Sequence, residues 1–409
     1  MVKPEEIDNG QFYQRGLGLK KEVKGILKRD YYSNLVEYFR ANDFTLKAGD
    51  LTIYLAKEFG FCYGVDRAVD YAYQTREKFP NRRIFLTGEI IHNPHVNRRL
   101  IEMDIQFLNG QYSNGTTREE LTPEDVVILP AFGVSVLEFQ YLSKKGCILV
   151  DTTCGSVLNV WKRVEYYSKN GYTSIIHGKY YHEETIATSS QALKFPNGKY
   201  LVVRNLEETQ KVCDYILHGR DKKEFMRQFA KASSQNFDPD RDLEKIGLAN
   251  QTTMLSSESL AIAEEFKKAI LQKFGEQNLK AHFQTFDTIC SATQDRQDAV
   301  LELVKKHKLD LMIVIGGYNS SNTNHLAEIA SRFTATYHID ESVCILSKDK
   351  IRHKRIGGQE ILISEGWLRK GVVQMGITAG ASTPNNKIGE AIERILDCCS
   401  VNPKNFILA

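Results

Sequence analysis

The chain has 409 residues, 42% of them hydrophobic and 26% charged, with a formal net charge of +3. That length predicts two or three domains rather than one core, and so mild a charge gives no argument for a nucleic-acid partner. No apolar run approaches the roughly 20 residues of a membrane span. The start, MVKPEEIDNGQFYQRGLGLKKEVKGIL, lacks an apolar signal core and is too acidic for a transit peptide. A cytoplasmic protein is expected, or a plastid stromal one from which a transit peptide has been removed.

The first 50 residues read as an N-terminal extension, with LKKEVKGILKRDYYSNLVEYFRAND as its helical part. Next comes EFGFCYGVDRAVDYAYQTREKF, where Val65, Ala68, Val69 and Ala72 recur at helical spacing after Cys62. Two further stretches repeat the arrangement. DTTCGSVLNVWKRVEYY follows Cys154 with Val157, Val160, Trp161 and Val164; DTICSATQDRQDAVLELV follows Cys290 with Ala299, Val300 and Leu303. Each cysteine therefore stands at a helix N-terminus, where the dipole and free N–H groups favour a thiolate. The other five cysteines, 147, 213, 344, 398 and 399, read as small buried hydrophobes. With no C-x-x-C pair and no apolar leader, neither a zinc ribbon nor a disulfide framework is expected.

After each cysteine helix an apolar run ends in a polar tip: IIHN with His92, YYHEET with His182 and Glu184, and GGYNSSNTN with Ser320, Ser321 and Asn322. A third set follows: VVILPAFGVS, IGLANQTT with Thr252, and MGITAGAS with Ser382. Apolar runs of this length alternating with helices predict an α/β fold with parallel sheets, whose ligands bind at the strand C-termini. The trio repeats three times, giving domains at 51–153, 154–286 and 287–390 and a tail at 391–409. A charged stretch at about 204–245 reads as a solvated helical insertion in the middle domain.

Three thiolates converging without a fourth fit buried core residues, a zinc site or an iron–sulfur cluster, and spacing alone does not choose. A cubane on three cysteines leaves one iron open as a Lewis acid. The hydroxyls, amide, histidines and helix N-termini suit an anion, phosphate above all. No nucleotide P-loop or dinucleotide fingerprint is present. Ser320 and Ser321 also read as N-caps and His92 as a core histidine. Glu184, an acid beside two histidines, suits proton donation.

GFCYGVDRAV, DTTC, HEET, QTT, DTIC-ATQ-RQ, NSSN and TAGAS, in this order from about Ala56 to Ile392, together resemble the 4-hydroxy-3-methylbut-2-enyl diphosphate reductases. The two appendages are similar to those of cyanobacterial and plastid members. The resemblance implies a three-domain, pseudo-threefold cloverleaf around one [4Fe–4S] cluster, held by Cys62, Cys154 and Cys290 with one iron open. It implies reductive dehydroxylation of the diphosphate substrate to isopentenyl and dimethylallyl diphosphates, with electrons from a ferredoxin-type donor and the chain as monomer or homodimer. Glu184 would deliver the proton and Thr252 lie near the substrate hydroxyl. His92, His182, Ser320, Ser321, Asn322 and Ser382 would hold the diphosphate. The family's A-H-G-V-S segment is AFGVS here: Phe132 cannot donate to a phosphate, and His95 is a candidate substitute. A non-catalytic iron–sulfur sensor and a zinc-dependent phosphate-ester hydrolase are the rival readings.

Overall fold

A computed structural model describes residues 11–286, 288–369 and 371–406; Asp287 of DTIC and both chain ends lie outside the described residues. Among the described residues three sheets form, and the architecture is α/β as expected. By packing, the chain divides into two compact units. Among the described residues, unit one holds 11–14, 82–88 and 107–290; unit two holds 15–81, 89–106 and 291–406.

Unit one carries two sheets. In the first, Phe12–Tyr13, Ile148–Asp151, Val126–Leu129 and Ile84–Leu86 lie side by side in parallel. The second runs Phe283–Thr285, Ile246–Asn250, Thr173–His177, Tyr200–Val203, again all parallel. TSIIH and IGLAN are buried at every position, as helices on both faces require. On one face Gly247 leaves room for Tyr167, whose ring lies 2.4 Å from where a Cβ would stand.

On the other face lies the stretch read as a solvated insertion, and that expectation is corrected. Leu206–His218, capped by the Asn205 side chain on the Glu208 N–H, buries Val212, Cys213, Tyr215 and Ile216. Lys222–Phe229 buries Phe225 and Phe229 in the same core. The charges that suggested solvation line the outer face, as in the Glu207–Lys211 pair one turn apart. An amphipathic crossover helix has such a face by construction.

In unit two the sheet runs Ile361–Glu365, Lys350–Lys354, Ala335–Ile339, Leu311–Ile315, Val373–Ala379, Leu51–Leu55, Thr45–Ala48. Its middle four are parallel and its rims antiparallel. Leu51–Leu55, expected to open the first domain, thus joins the last strand of the third. Residues 11–50 are likewise no appendage. Phe12–Tyr13 extends the first sheet, and Asn34–Ala41 buries Leu35, Val36 and Phe39 in the unit-two core with Ile388 and Ile392. Of the five cysteines expected in the core, 147, 213 and 344 are buried, while Cys398 and Cys399 at a helix end are only half-buried.

His338, buried on Ala335–Ile339, donates from Nε2 to the Gly316 carbonyl at 2.9 Å. Burial pushes its pKa down to about 4. Below the unfolded value, about 6.5, the unfolded chain takes up a proton that the folded ring refuses. Stability is therefore intact above pH 6.5 and falls as pH drops toward 4, by about 3 kcal/mol at most. His338→Gln is expected to flatten that slope in urea unfolding between pH 6.5 and 4; an unchanged slope would refute the assignment.

Candidate functional site

Each cysteine occupies the same backbone slot in its own sheet. The Cys154 N–H donates to the Ala131 carbonyl at 2.9 Å, Cys290 to Thr252 at 3.3 Å and Cys62 to Ala381 at 3.1 Å. The acceptors lie in AFGVS, QTT and TAGAS, the three loops of the third set. The bonds continue the parallel ladder beyond the strand ends, as Thr152 to Leu129 and Gly60 to Ala379 also do. Helices Tyr63–Lys78, Gly155–Lys169 and Ser291–Lys306 start directly after the cysteines. Cys62 and Cys154 are extended N-caps whose side chains cap no N–H, so the helix openings face the thiols' surroundings. All three cysteines are half-buried.

The DTTC loop is braced by its own aspartate: Asp151 Oδ1 accepts the Thr153 N–H at 2.9 Å and its hydroxyl at 2.5 Å. In the DTIC loop the braced residue is Thr288, whose hydroxyl oxygen accepts the Asn250 N–H at 2.8 Å. The two loops meet inside unit one, where the Ser156 hydroxyl donates to Cys290 Sγ at 3.3 Å. Ser156 escaped the sequence reading; its only signal was its place in the first turn after Cys154.

The polar tips open helices as expected, the middle one included: Asn93, His182 and Ser320 are the N-caps of Pro94–Glu102, Glu183–Ala192 and Ser321–Ser331. The second residue of the latter two helices does the same work in both units. Glu184 Oε1 accepts the Thr252 N–H at 2.5 Å, and Asn322 Oδ1 accepts the Ala381 N–H at 2.9 Å. Since the Thr252 and Ala381 carbonyls hold Cys290 and Cys62, a short chain of bonds links each of these two polar tips to a cysteine. Glu184 is 2% exposed. Gln251, also missed, holds this corner: it accepts from the Lys179 N–H and the Thr185 hydroxyl, each at 3.1 Å.

In unit two the loops of His92, NSSN and TAGAS come together. Ser382 Oγ donates to the His92 carbonyl at 3.3 Å, and His92 Nδ1 lies 2.9 Å from Glu89 Oε2. Gly317 must be glycine, because a Cβ there would stand 2.3 Å from the His92 carbonyl oxygen. Ser320 caps its helix at the Thr323 N–H, which is the N-cap reading, while Ser321 and Asn322 are buried. Asn322 Nδ2 is buried with no protein acceptor among the described residues. A donor left so costs about 1–3 kcal/mol unless a ligand accepts from it.

His95 is engaged elsewhere. Its Nε2 lies 3.3 Å from Asn386 Nδ2, its ring meets Tyr31 edge-on at 6.1 Å, and burial, then Lys387, lowers its pKa. Phe132 sets its ring edge-on to His182 at 6.0 Å. It shapes the imidazole's setting and offers no donor.

Fold and loops define a class: an α/β protein with three equivalent cysteine arms and polar helix openings suited to an anion. A profile of the LytB protein family matches residues 53–396. The chain is 52% identical over 395 residues to 4-hydroxy-3-methylbut-2-enyl diphosphate reductase of Microcystis aeruginosa, covering 96% of this chain and 95% of that one. It is also 52% identical to the enzyme of the same name from Trichormus variabilis, covering 94% of each. A solved (E)-4-hydroxy-3-methyl-but-2-enyl diphosphate reductase superposes with TM-score 0.52 at 29% identity, covering 84% of this chain and 99% of that one. A reductase structure from Plasmodium falciparum shares the fold, with TM-score 0.61 at 22% identity, over 87% of this chain and 96% of that one. The chain belongs to the LytB protein family. Among the described residues no helix is long and apolar enough to cross a membrane.

Proposed function

We propose that the chain reduces 4-hydroxy-3-methylbut-2-enyl diphosphate to isopentenyl and dimethylallyl diphosphates, working in the cytoplasm. Two electrons and two protons enter, the allylic C–O bond breaks, a C–H bond forms and water leaves. The observation that carries the reading is the shared slot of Cys62, Cys154 and Cys290, each at a helix mouth and each tied to a third-set loop. Three thiols at helix N-termini, two in loops that meet through Ser156, are a donor set fit for a [4Fe–4S] cluster. When bound, such a cluster supplies electrons and an iron with no protein ligand.

The chain's own residues do the rest. Asn322 Nδ2, with Ser320, Ser321, Ser382 and His92, holds diphosphate oxygens, and His182 is assigned to the same group. Binding so far from the reacting carbon serves orientation. Glu184 holds at its carboxyl the proton that meets the departing oxygen. The Thr252 N–H keeps that carboxyl in place, and the Thr252 hydroxyl is assigned to relay the proton. A ferredoxin-type protein is the electron donor.

Protein purified without oxygen is expected to contain about four iron and four sulfide per chain. With a reduced donor it should convert the hydroxymethylbutenyl diphosphate to both five-carbon diphosphates. A fully loaded protein that forms neither product would overturn the proposal.

A further inference from the structure

Helix Lys20–Tyr31 turns Val23 and Tyr31 inward and leaves Lys20, Lys21, Lys24 and Lys28 exposed. Five cations against Glu22 and Asp30 give this one helix the same +3 as the whole chain, so the remainder is formally neutral. Among the described residues its ion pairs involve only Arg29 and Asp30, and the lysines are not spent internally. The helix borders a cleft of about 730 Å³ whose wall includes Cys62. Lys20, Lys21, Lys24, Lys28 and Arg40 line it against two carboxylates, Asp66 and Asp70. Aromatic rings share its wall: Tyr32 under the Lys28 ammonium at 4.9 Å, Phe61, and Tyr63, which is 83% exposed although it directly follows Cys62.

We infer that this lysine-rimmed cleft is where an acidic one-electron carrier protein docks, with Tyr32 and Tyr63 at the contact and Cys62 behind them. The inference rests on the proposed reductase reading, which needs two successive one-electron deliveries, each oxidising one carrier. Exposed lysines beside aromatic rings suit that traffic. Long-range attraction speeds encounter, while a modest contact area lets the spent carrier leave. A carrier seated there also approaches the chain at one of its three cysteine arms. The four lysines recur along one exposed face, so a single rigid helix presents the charge.

The test uses the full-length, iron-loaded protein and a purified acidic [2Fe–2S] ferredoxin. In K20E/K24E/K28E the ferredoxin dissociation constant is expected to rise about tenfold or more at about 0.05 M salt, with the gap closing near 0.5 M. The KM for ferredoxin should rise in step, while turnover driven by reduced methyl viologen stays within about twofold of wild type. An unchanged dissociation constant and salt dependence would overturn the docking site. Should the triple variant misfold, carbodiimide cross-linking of the wild-type complex decides. Links within Lys20–Lys28 support the site, and links confined to other lysines refute it. If the viologen-driven wild type itself makes no product, the reductase reading falls, whatever the binding result.

Discussion

Replacing Glu184 by Gln is expected to leave the protein folded and its iron bound while lowering kcat/KM by about 10²–10⁴-fold. The amide keeps an oxygen for the Thr252 N–H, so the 2.5 Å contact that positions the loop survives in weaker form. What disappears is the carboxylic proton. The loss should therefore fall on kcat with little change in KM, the signature of an interaction made only in the transition state. The neighbouring Glu183, exposed on the same helix turn, is the control, and Glu183→Gln should stay within about twofold of wild type. Near-normal turnover of Glu184→Gln in steady-state assays would remove Glu184 from proton delivery and leave it a structural acceptor.

Cys290→Ser is expected to abolish turnover altogether and to lose most of the bound iron. Serine can still accept from the Ser156 hydroxyl and keep the Thr252–Cys290 backbone bond, so the loop need not collapse. The thiolate that would hold iron is gone. Cys147 provides the contrast. It is buried beside the Thr122 carbonyl, its Sγ 3.4 Å away, and burial pushes the thiol's pKa up. Cys147→Ser should cost some stability and leave the iron content unchanged. Equal iron in Cys290→Ser and wild type, by metal analysis after anaerobic purification, would break the ligand assignment.

Much of this was legible because it is local. A cysteine followed by a 3.6-residue apolar repeat announces a helix with a thiol at its mouth, and all three arms read that way. Ser320 reads as an N-cap for the same reason, and it caps Thr323 as such a residue should, whereas the caps Asn93 and His182 were not legible. A charged outer face hides the buried one behind it. Leu206–His218 carries enough charge to pass for solvated, yet Val212, Tyr215 and Ile216 lie at core spacing within it.

The sequence by itself determined the set of chemical groups and their order: three helix-mouth cysteines, an acid beside two histidines, and hydroxyl and amide tips between apolar strands. These follow from residue type and short-range periodicity, which act within a few turns of chain. Tertiary structure alone decided that Leu51–Leu55 pairs with Val373–Ala379, that Tyr31 and Asn386 occupy His95, and that residues 11–50 complete both units. It also decided that Glu184 and Asn322 each reach the loop holding a cysteine. Such contacts join residues tens to hundreds of positions apart. Strand pairing relies on backbone groups that every residue carries, so no local pattern names the partner.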